Sequence, residues 1–455
     1  MSHACSTFIL WLVHDAGLLT SYGLRDEHDK VSKWEADMSS NRMNGLHDAN
    51  DLLQGAQMFV HDLLDDHGMV TLTDLARDLL EHRPVTTFLQ TDLVSVDGSV
   101  MGTVTDPNLA NPWGMSDTGG GSPIWISQNG AGVASLYSVV HNATSGVDTV
   151  TPNAARAPVN ILTAAGDPST PTGQVFNPFP ATDGDFKLAY PDGTNAPATF
   201  LFATEDGTIT GWNPGPAAAP HTQAVVAVST PGADYTGLAI DKAGDTPMLY
   251  AANFSQGEVD VFDANFNQIN TITDPHGSSD LAPFNAQVLT VQGNERLFVT
   301  FASKDAVTQD GMSGDKHGGG FVDEFDLQGN LIQRLDSDGT LNNPWGLAIA
   351  PSSFGALAGD LLVGNHGDGT ISAFDLNAHD HQSLGHLLDS TGKAITIHDL
   401  FGLIPGESNP PPPATNNGGS PDTIYFTAGG AQGLFGSLTP NATPLQVGMM
   451  GPGGH

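Results

Sequence analysis

Between residues 86 and 440 the chain repeats one pattern: a short apolar run, a glycine-bearing turn, then a second run of alternating character. That pattern predicts antiparallel hairpins. Leu249-Tyr-Ala-Ala-Asn-Phe-Ser-Gln-Gly-Glu-Val-Asp-Val-Phe-Asp263 aligns without a gap on Leu361-Leu-Val-Gly-Asn-His-Gly-Asp-Gly-Thr-Ile-Ser-Ala-Phe-Asp375. Phe200 to Asn213 and Ile124 to Tyr137 fit the same frame. In each, the apolar run is a buried strand and the Asp-Gly, Gln-Gly or Ala-Gly pair supplies the positive φ angles of a turn.

Each hairpin is preceded by another short element. The six starts are Asn111-Pro-Trp-Gly-Met115, Pro171-Thr-Gly-Gln-Val-Phe176, Tyr235-Thr-Gly-Leu-Ala-Ile240, Phe284-Asn-Ala-Gln-Val-Leu289, Asn343-Pro-Trp-Gly-Leu-Ala-Ile349 and Phe401-Gly-Leu-Ile404. Several short strands per unit, at a period of roughly 50 to 60 residues, fit propeller blades better than a solenoid or a sandwich. Phe88 to Val96 precedes the first start and is placed to add an outer strand to the last blade, which would remove a free sheet edge. The expected fold is therefore all-β: a six-bladed β-propeller over residues 86–440 with a small N-terminal α-helical extension over 1–85 and a flexible tail over 441–455.

The extension rests on a change of period. Leu52, Leu53, Ala56, Phe59, Val60, Leu63 and Leu64 recur at helical spacing, and Thr73 is placed to cap a second segment running to Leu80. The linker from Asp65 to Thr71 faintly resembles a calcium-binding loop, but its first ligand position falls on Leu63 and its last on the short Asp74.

Composition sharpens this picture. Abundant Gly (54) and Pro (30), with only 14% charged residues, suit many short strands joined by tight turns. Lys and Arg number 14 against 50 Asp and Glu, for a net charge of −36. Such a field repels nucleic acid and anionic membranes, so nucleic acid is excluded as a partner. Cys5 is the only cysteine, which excludes an intrachain disulfide and a thiolate metal cluster. The apolar run from Ser6 to Val13 follows no basic region and is too short to span a bilayer. No membrane span is expected, and that run makes a poor export signal.

Innermost propeller strands converge on a central channel, whose mouth is the default site for a small-molecule or protein partner. In the aligned frame Gln128, Ala203, Asn253 and Asn365 share one position, and Asn129, Thr204, Phe254 and His366 the next. Matched polar residues at strand ends suggest a polar ring, although such asparagines also satisfy turn backbone. A metal would draw on Glu205, Asn253, Asn365 and His366. Oxygen donors favour calcium, and the imidazole brings zinc in after it. Lactone hydrolysis would then use Glu205 or Asp206 as general base.

Gln128 and Asn129 are candidate ligand contacts, as are Trp113 and Trp345, whose rings either wall the channel or fill gaps between blades. His379-Asp-His381 is spaced for chelation but sits in a loop, where surface polarity is the commoner reading. The insertion Ser303 to Gly320 is long enough to act as a loop over the mouth. Neither a phosphate-binding loop nor a Gly-x-Ser-x-Gly elbow is present.

Six stretches carry a family resemblance: Thr105 to Gly114, Ala203 to Pro214, Leu249 to Phe254, Leu341 to Ala348, Val363 to Gly369 and Ile424 to Gly429. On these the chain resembles an uncharacterised family of bacterial β-propellers across residues 87–440. The resemblance implies export or an extracellular setting, and no activity to carry over. The chain departs from the family at both ends, with the helical extension in front and Gly448 to His455 in place of a sorting helix. More distantly the blade starts resemble NHL-type and gluconolactonase-type propellers, whose members include metal-assisted lactone hydrolases. Two functions follow as expectations: a ligand- or protein-binding propeller, and, as the alternative, a metal-dependent hydrolase at the channel mouth.

Overall fold

The computed structural model describes residues 86–441 except 153–157, 180–183, 217–220, 278–279, 305–318, 336–338, 378–380, 408–415 and 431–432. The helices expected over 1–85, the calcium-like linker, Cys5 and nearly all of the tail lie outside the described residues, as does most of the 303–320 insertion. What the structure establishes is the all-β, six-bladed body; among the described residues the helical turns are two short 3-10 elements, Asn129–Ala131 and Gly355–Leu357.

Six antiparallel sheets form the blades, each starting with an innermost strand: Pro112–Ser116, Pro171–Phe176, Tyr235–Ala243, Leu281–Val291, Pro344–Ile349 and Leu400–Pro405. In blade 3 the further strands are Thr246–Asn253, Glu258–Asp263 and Gln268–Ile272. The other blades repeat this order. Closure is as the sequence predicts: Phe88–Ser95 pairs antiparallel with Leu434–Pro440, so the start of the body supplies the outer strand of blade 6. That strand satisfies the open edge of the last blade and ties the ring together.

The second strands are buried along their central runs, and mostly apolar there, because both of their faces are covered. Side chains alternate across a strand, so Leu249 and Ala251 pack toward blade 2 while Tyr250 and Ala252 pack toward blade 4. Each pair of neighbouring blades shares one such core; Trp125, Leu136, Phe200 and Trp212, for example, join blades 1 and 2. Burying a large side chain of this kind contributes about 1.5–3 kcal/mol.

Toward the axis the strands approach too closely for side chains. The third residue of the innermost strand is Gly114, Gly173, Gly237, Gly346 or Gly402 in five blades, and a Cβ there would strike the next strand's backbone. On Gly173 it would lie 2.5 Å from the Leu238 nitrogen, on Gly114 2.7 Å from the Thr172 oxygen and on Gly402 2.8 Å from the Trp113 oxygen. Blade 4 carries Asn285 at this place.

Candidate functional site

Register defines which residues are equivalent. Pro112 pairs with Gln128, Pro171 with Thr204, Tyr235 with Asn253 and Pro344 with Asn365. Thr204, rather than Ala203, therefore matches Gln128, Asn253 and Asn365, and Glu205 joins Asn129, Phe254 and His366 at the next position. The ungapped frame is off by one in blade 2 because its turn, Glu205-Asp206-Gly207, is one residue shorter than Phe254-Ser255-Gln256-Gly257. A glycine-to-glycine alignment hides that deletion.

At the first position the amides are engaged within their own blades. Asn253 Nδ2 donates to Asp260 Oδ2 at 3.0 Å, and Asn365 Nδ2 donates to Ser372 Oγ at 3.0 Å. Gln128 Oε1 accepts from Ser135 Oγ at 3.0 Å while its Nε2 donates to Tyr137 Oη at 2.8 Å. Ser135, Asp260 and Ser372 are themselves equivalent on the third strands, opposite Ile126, Ala251 and Val363. The same amide bracket thus recurs in three blades, holding the end of the second strand to the third. Gln128, Asn253 and Asn365 are wholly buried, as such brackets must be if they replace lost water.

At the next position side chains turn to the axis. His366 stacks on Phe401 at 4.4 Å, and Phe254 lies 5.6 Å from Phe284. Beneath them the two tryptophans meet edge-on at 6.1 Å, and Trp113 stacks on Phe401 at 3.9 Å. Trp113 and Trp345 lie on the axis rather than between blades, and at 3% and 4% exposure they close the channel at this level. Trp345 Nε1 donates to the Thr236 carbonyl at 3.1 Å, whereas Trp113 Nε1 has no hydrogen-bond partner among the described residues.

A polar chain runs along the rim above this plug. Asn111 Nδ2 donates to Asn129 Oδ1 at 3.0 Å, and Asn129 Nδ2 donates to Glu205 Oε2 at 2.8 Å. Asp234 stands near enough to Glu205 for the two to repel; burial, and after it the Glu205 charge, push the Asp234 carboxyl up to about 7. Asp206 is exposed in the turn, where it accepts from Thr204 Oγ1 at 3.1 Å and from Ser169 Oγ.

The donor set expected for a metal does not fit one. Asn253 Oδ1 accepts from the Asp234 nitrogen and from Ser255 Oγ, and Asn365 Oδ1 accepts from the Asn342 nitrogen. Both amides point into their blades, while Glu205 and His366 face the axis. Among the described residues, no three His, Cys, Asp or Glu side chains come within reach of one ion. Of the His379-Asp-His381 run, His379 and Asp380 lie outside the described residues. His381 is buried, its Nε2 2.9 Å from Glu324 Oε2, rather than part of a polar surface.

On the other side of the aromatic plug the channel widens into a cavity of about 250 Å³. All six blades contribute to its wall, through Ser116, Gln174, Leu238, Gln287, Trp345 and Leu403 among others. The innermost strands pair on one side only, so half of their backbone N–H and C=O groups face this space. Gln174 is spent on the wall itself: Nε2 donates to Ser116 Oγ and the Trp125 carbonyl, and Oε1 accepts from Ser127 Oγ. At the outer end stands Asp117, whose carboxyl is pushed up to about 7 by burial and then by a hydrogen bond and charge shared with Glu407.

Asn285, Asp117, Glu407 and Asp234 escape a reading of strand-end polarity. Asn285 alone leaves a signal in the sequence, because it replaces the glycine common to the other five blade starts. The Asp117–Glu407 and Glu205–Asp234 pairs leave none, because each joins different blades.

No family model matches the chain. Among solved structures the chain is similar to the Dos1 propeller, with TM-score 0.40 and 9% identity over 75% of this chain and 70% of that one. It is also similar to a candidate gluconolactonase, with TM-score 0.34 and 17% identity over 57% of this chain and 89% of the other. The blades themselves, not these slight likenesses, establish the architecture. Relatives by sequence are viral rather than bacterial. Uncharacterized protein R648 of Acanthamoeba polyphaga mimivirus is 33% identical over 314 residues, 66% of this chain and 70% of the relative. Uncharacterized protein L690 of the same virus is 32% identical over 329 residues, 71% of this chain and 80% of the relative, and the chain belongs to the family of that protein.

Proposed function

We propose that the chain is a small-molecule-binding propeller whose site is the axial cavity beneath the aromatic plug. The carrying observation is the cavity itself: about 250 Å³, with aliphatic side chains and polar groups sharing its wall about equally and half-exposed residues at its outer end. Small-molecule sites are likewise concave and carry polar groups that orient a ligand between apolar ones. The hydrolase alternative loses support, because Asn253 and Asn365 serve their blades and no metal donor set assembles among the described residues.

Ligand-detected NMR with a library of neutral and charged small molecules tests the reading. Binding is expected to wild type and to be lost on Val288→Trp, which fills the cavity from a half-buried position on its wall. If no library member distinguishes the two proteins at equal melting temperature, the axial site is refuted.

A further inference from the structure

The innermost strand of blade 4, Leu281–Val291, brings two carboxamides to the cavity wall, Asn285 and Gln287. They stand opposite Thr300 and Phe298 in unbroken register, so they share one face of the strand, about 7 Å apart along it. One small molecule reaches both. Asn285 is 3% exposed, and its Nδ2 donates to the Trp345 carbonyl at 2.9 Å. A carbonyl only accepts, so this bond fixes the amide's orientation and leaves Oδ1 over. Oδ1 receives no hydrogen bond from the described residues and lies over Gly237, where the absent Cβ leaves it room.

Gln287 is half-buried, and neither its Oε1 nor its Nε2 has a hydrogen-bond partner among the described residues. Gln174, the third carboxamide of the wall, is by contrast spent on Ser116, Trp125 and Ser127. Buried amides ordinarily find partners within the protein. Blade 4 instead presents one open acceptor and, two residues on, an open acceptor and donor together. Among the described residues lining the cavity, Asp117 is the one ionisable side chain; it belongs to blade 1, and one of its oxygens takes the Gly119 nitrogen at 2.7 Å. A charged ligand would therefore give up its water at the two amides with no opposite charge beside them, whereas a neutral one loses far less.

We infer that the axial cavity takes a small neutral carboxamide, held by its amide edge on Asn285 and Gln287. This inference rests on the binding role proposed above and names its class of ligand. A primary carboxamide carries two N–H donors and a carbonyl acceptor, the complement of the open groups on blade 4. Its carbonyl accepts from Gln287 Nε2, one N–H donates to Gln287 Oε1 and the other to Asn285 Oδ1. Leu238, Ile240, Val288, Leu403 and Ile404 receive the hydrocarbon part. The axis-facing backbone of the inner strands offers donors and acceptors alike, so the choice between ligands falls to the two side chains.

Calorimetric titration of the full chain with cyclohexanecarboxamide, cyclohexyl methyl ketone, cyclohexanecarboxylate and cyclohexylmethylammonium separates the possibilities, because the four share a skeleton. The first two differ only in an NH₂ group for a methyl. The carboxamide is expected to bind about five- to tenfold more tightly than the ketone, which has no N–H to give, and more tightly than either charged compound. Gln287→Met keeps the length of the side chain without its amide and is expected to cut the carboxamide-to-ketone ratio at least about threefold. Asn285→Gly, which completes the ring of glycines, is expected to cut it several-fold as well. Should Asn285→Gly melt early, Gln287→Met decides alone.

Equal binding of carboxamide and ketone, tighter binding of either charged compound, or a ratio unmoved by Gln287→Met overturns the carboxamide assignment and leaves the binding role standing. If none of the four binds while other library members are lost on Val288→Trp, the assignment alone also fails. If no compound of any charge is sensitive to that substitution, both fall.

Discussion

Asn253 reaches across blade 3 to donate from Nδ2 to Asp260 Oδ2 at 3.0 Å, and that bond commits a strand-end amide to the blade instead of the channel. Asp260 is fully buried and also accepts from Tyr235 Oη at 2.7 Å and from Gln268 Nε2 at 2.7 Å. Asn253→Ala removes one charge-assisted donor and is expected to cost about 2 kcal/mol of stability. Asn253→Asp sets a second carboxylate against the first and is expected to cost about 3–5 kcal/mol. Urea denaturation of both variants measures the difference; a channel role for Asn253 would instead leave stability nearly unchanged.

Gly173 tests the close approach of inner strands. A Cβ at this position would meet the Leu238 nitrogen at 2.5 Å, and backbone in the middle of a blade cannot move aside cheaply. Gly173→Ala is expected to destabilise by about 1–3 kcal/mol. The same substitution at Gly232, where nothing lies within 4 Å of the added atom, removes only a favourable positive-φ residue and is the control for backbone strain. Thermal melts of the two variants separate packing from conformation.

Asp234 gives stability an unusual pH dependence. Burial, then the Glu205 charge, raise its carboxyl from 3.8 to about 7, so the folded state holds a proton that the unfolded chain releases at lower pH. Its contribution is fully present below 3.8 and is lost as pH rises through about 7. Discounted for its partial exposure, this amounts to about 1–2 kcal/mol. Asp234→Asn is expected to be the more stable protein at pH 8 and to show a flatter profile between pH 5 and pH 8, by denaturant unfolding at each pH.

Glu324 has the opposite sign. Burial alone would raise its carboxyl, but hydrogen bonds from His381 and Gln333 and the charges of His381 and Arg296 bring it below 4.5. Its contribution is present above that value and lost as pH falls through the lower folded one. Glu324→Gln is expected to lose stability at pH 7 and to flatten the acid limb, a contrast with Asp234→Asn that the same titration reveals.

Closure rests on Val94, which is fully buried and pairs with Phe435 across the seam between the two ends of the ring. Val94→Asp places an unpaired carboxylate there and is expected to cost at least about 3 kcal/mol. Freed strand edges at Leu434–Pro440 are then expected to pair between molecules. Light scattering after size exclusion should show higher-order species absent from wild type.

Blade number, strand order and seam were legible in the sequence because each depends on local, repeated signals. Apolar runs, glycine turns and the Phe88–Ser95 segment mark hairpins whatever surrounds them. The site was legible only in its address on the axis. Which way Asn253 and Asn365 point was settled by the polar residue facing each on the third strand. That Glu205 rather than Thr204 turns to the axis depended on a one-residue difference in turn length. Asp117 meeting Glu407, and Glu205 meeting Asp234, required the blades to close into a ring, since contacts between blades join residues that no periodicity relates. Hairpins are local and so are written in the pattern; a cavity wall is assembled from six strands, and only their packing decides which atoms face it.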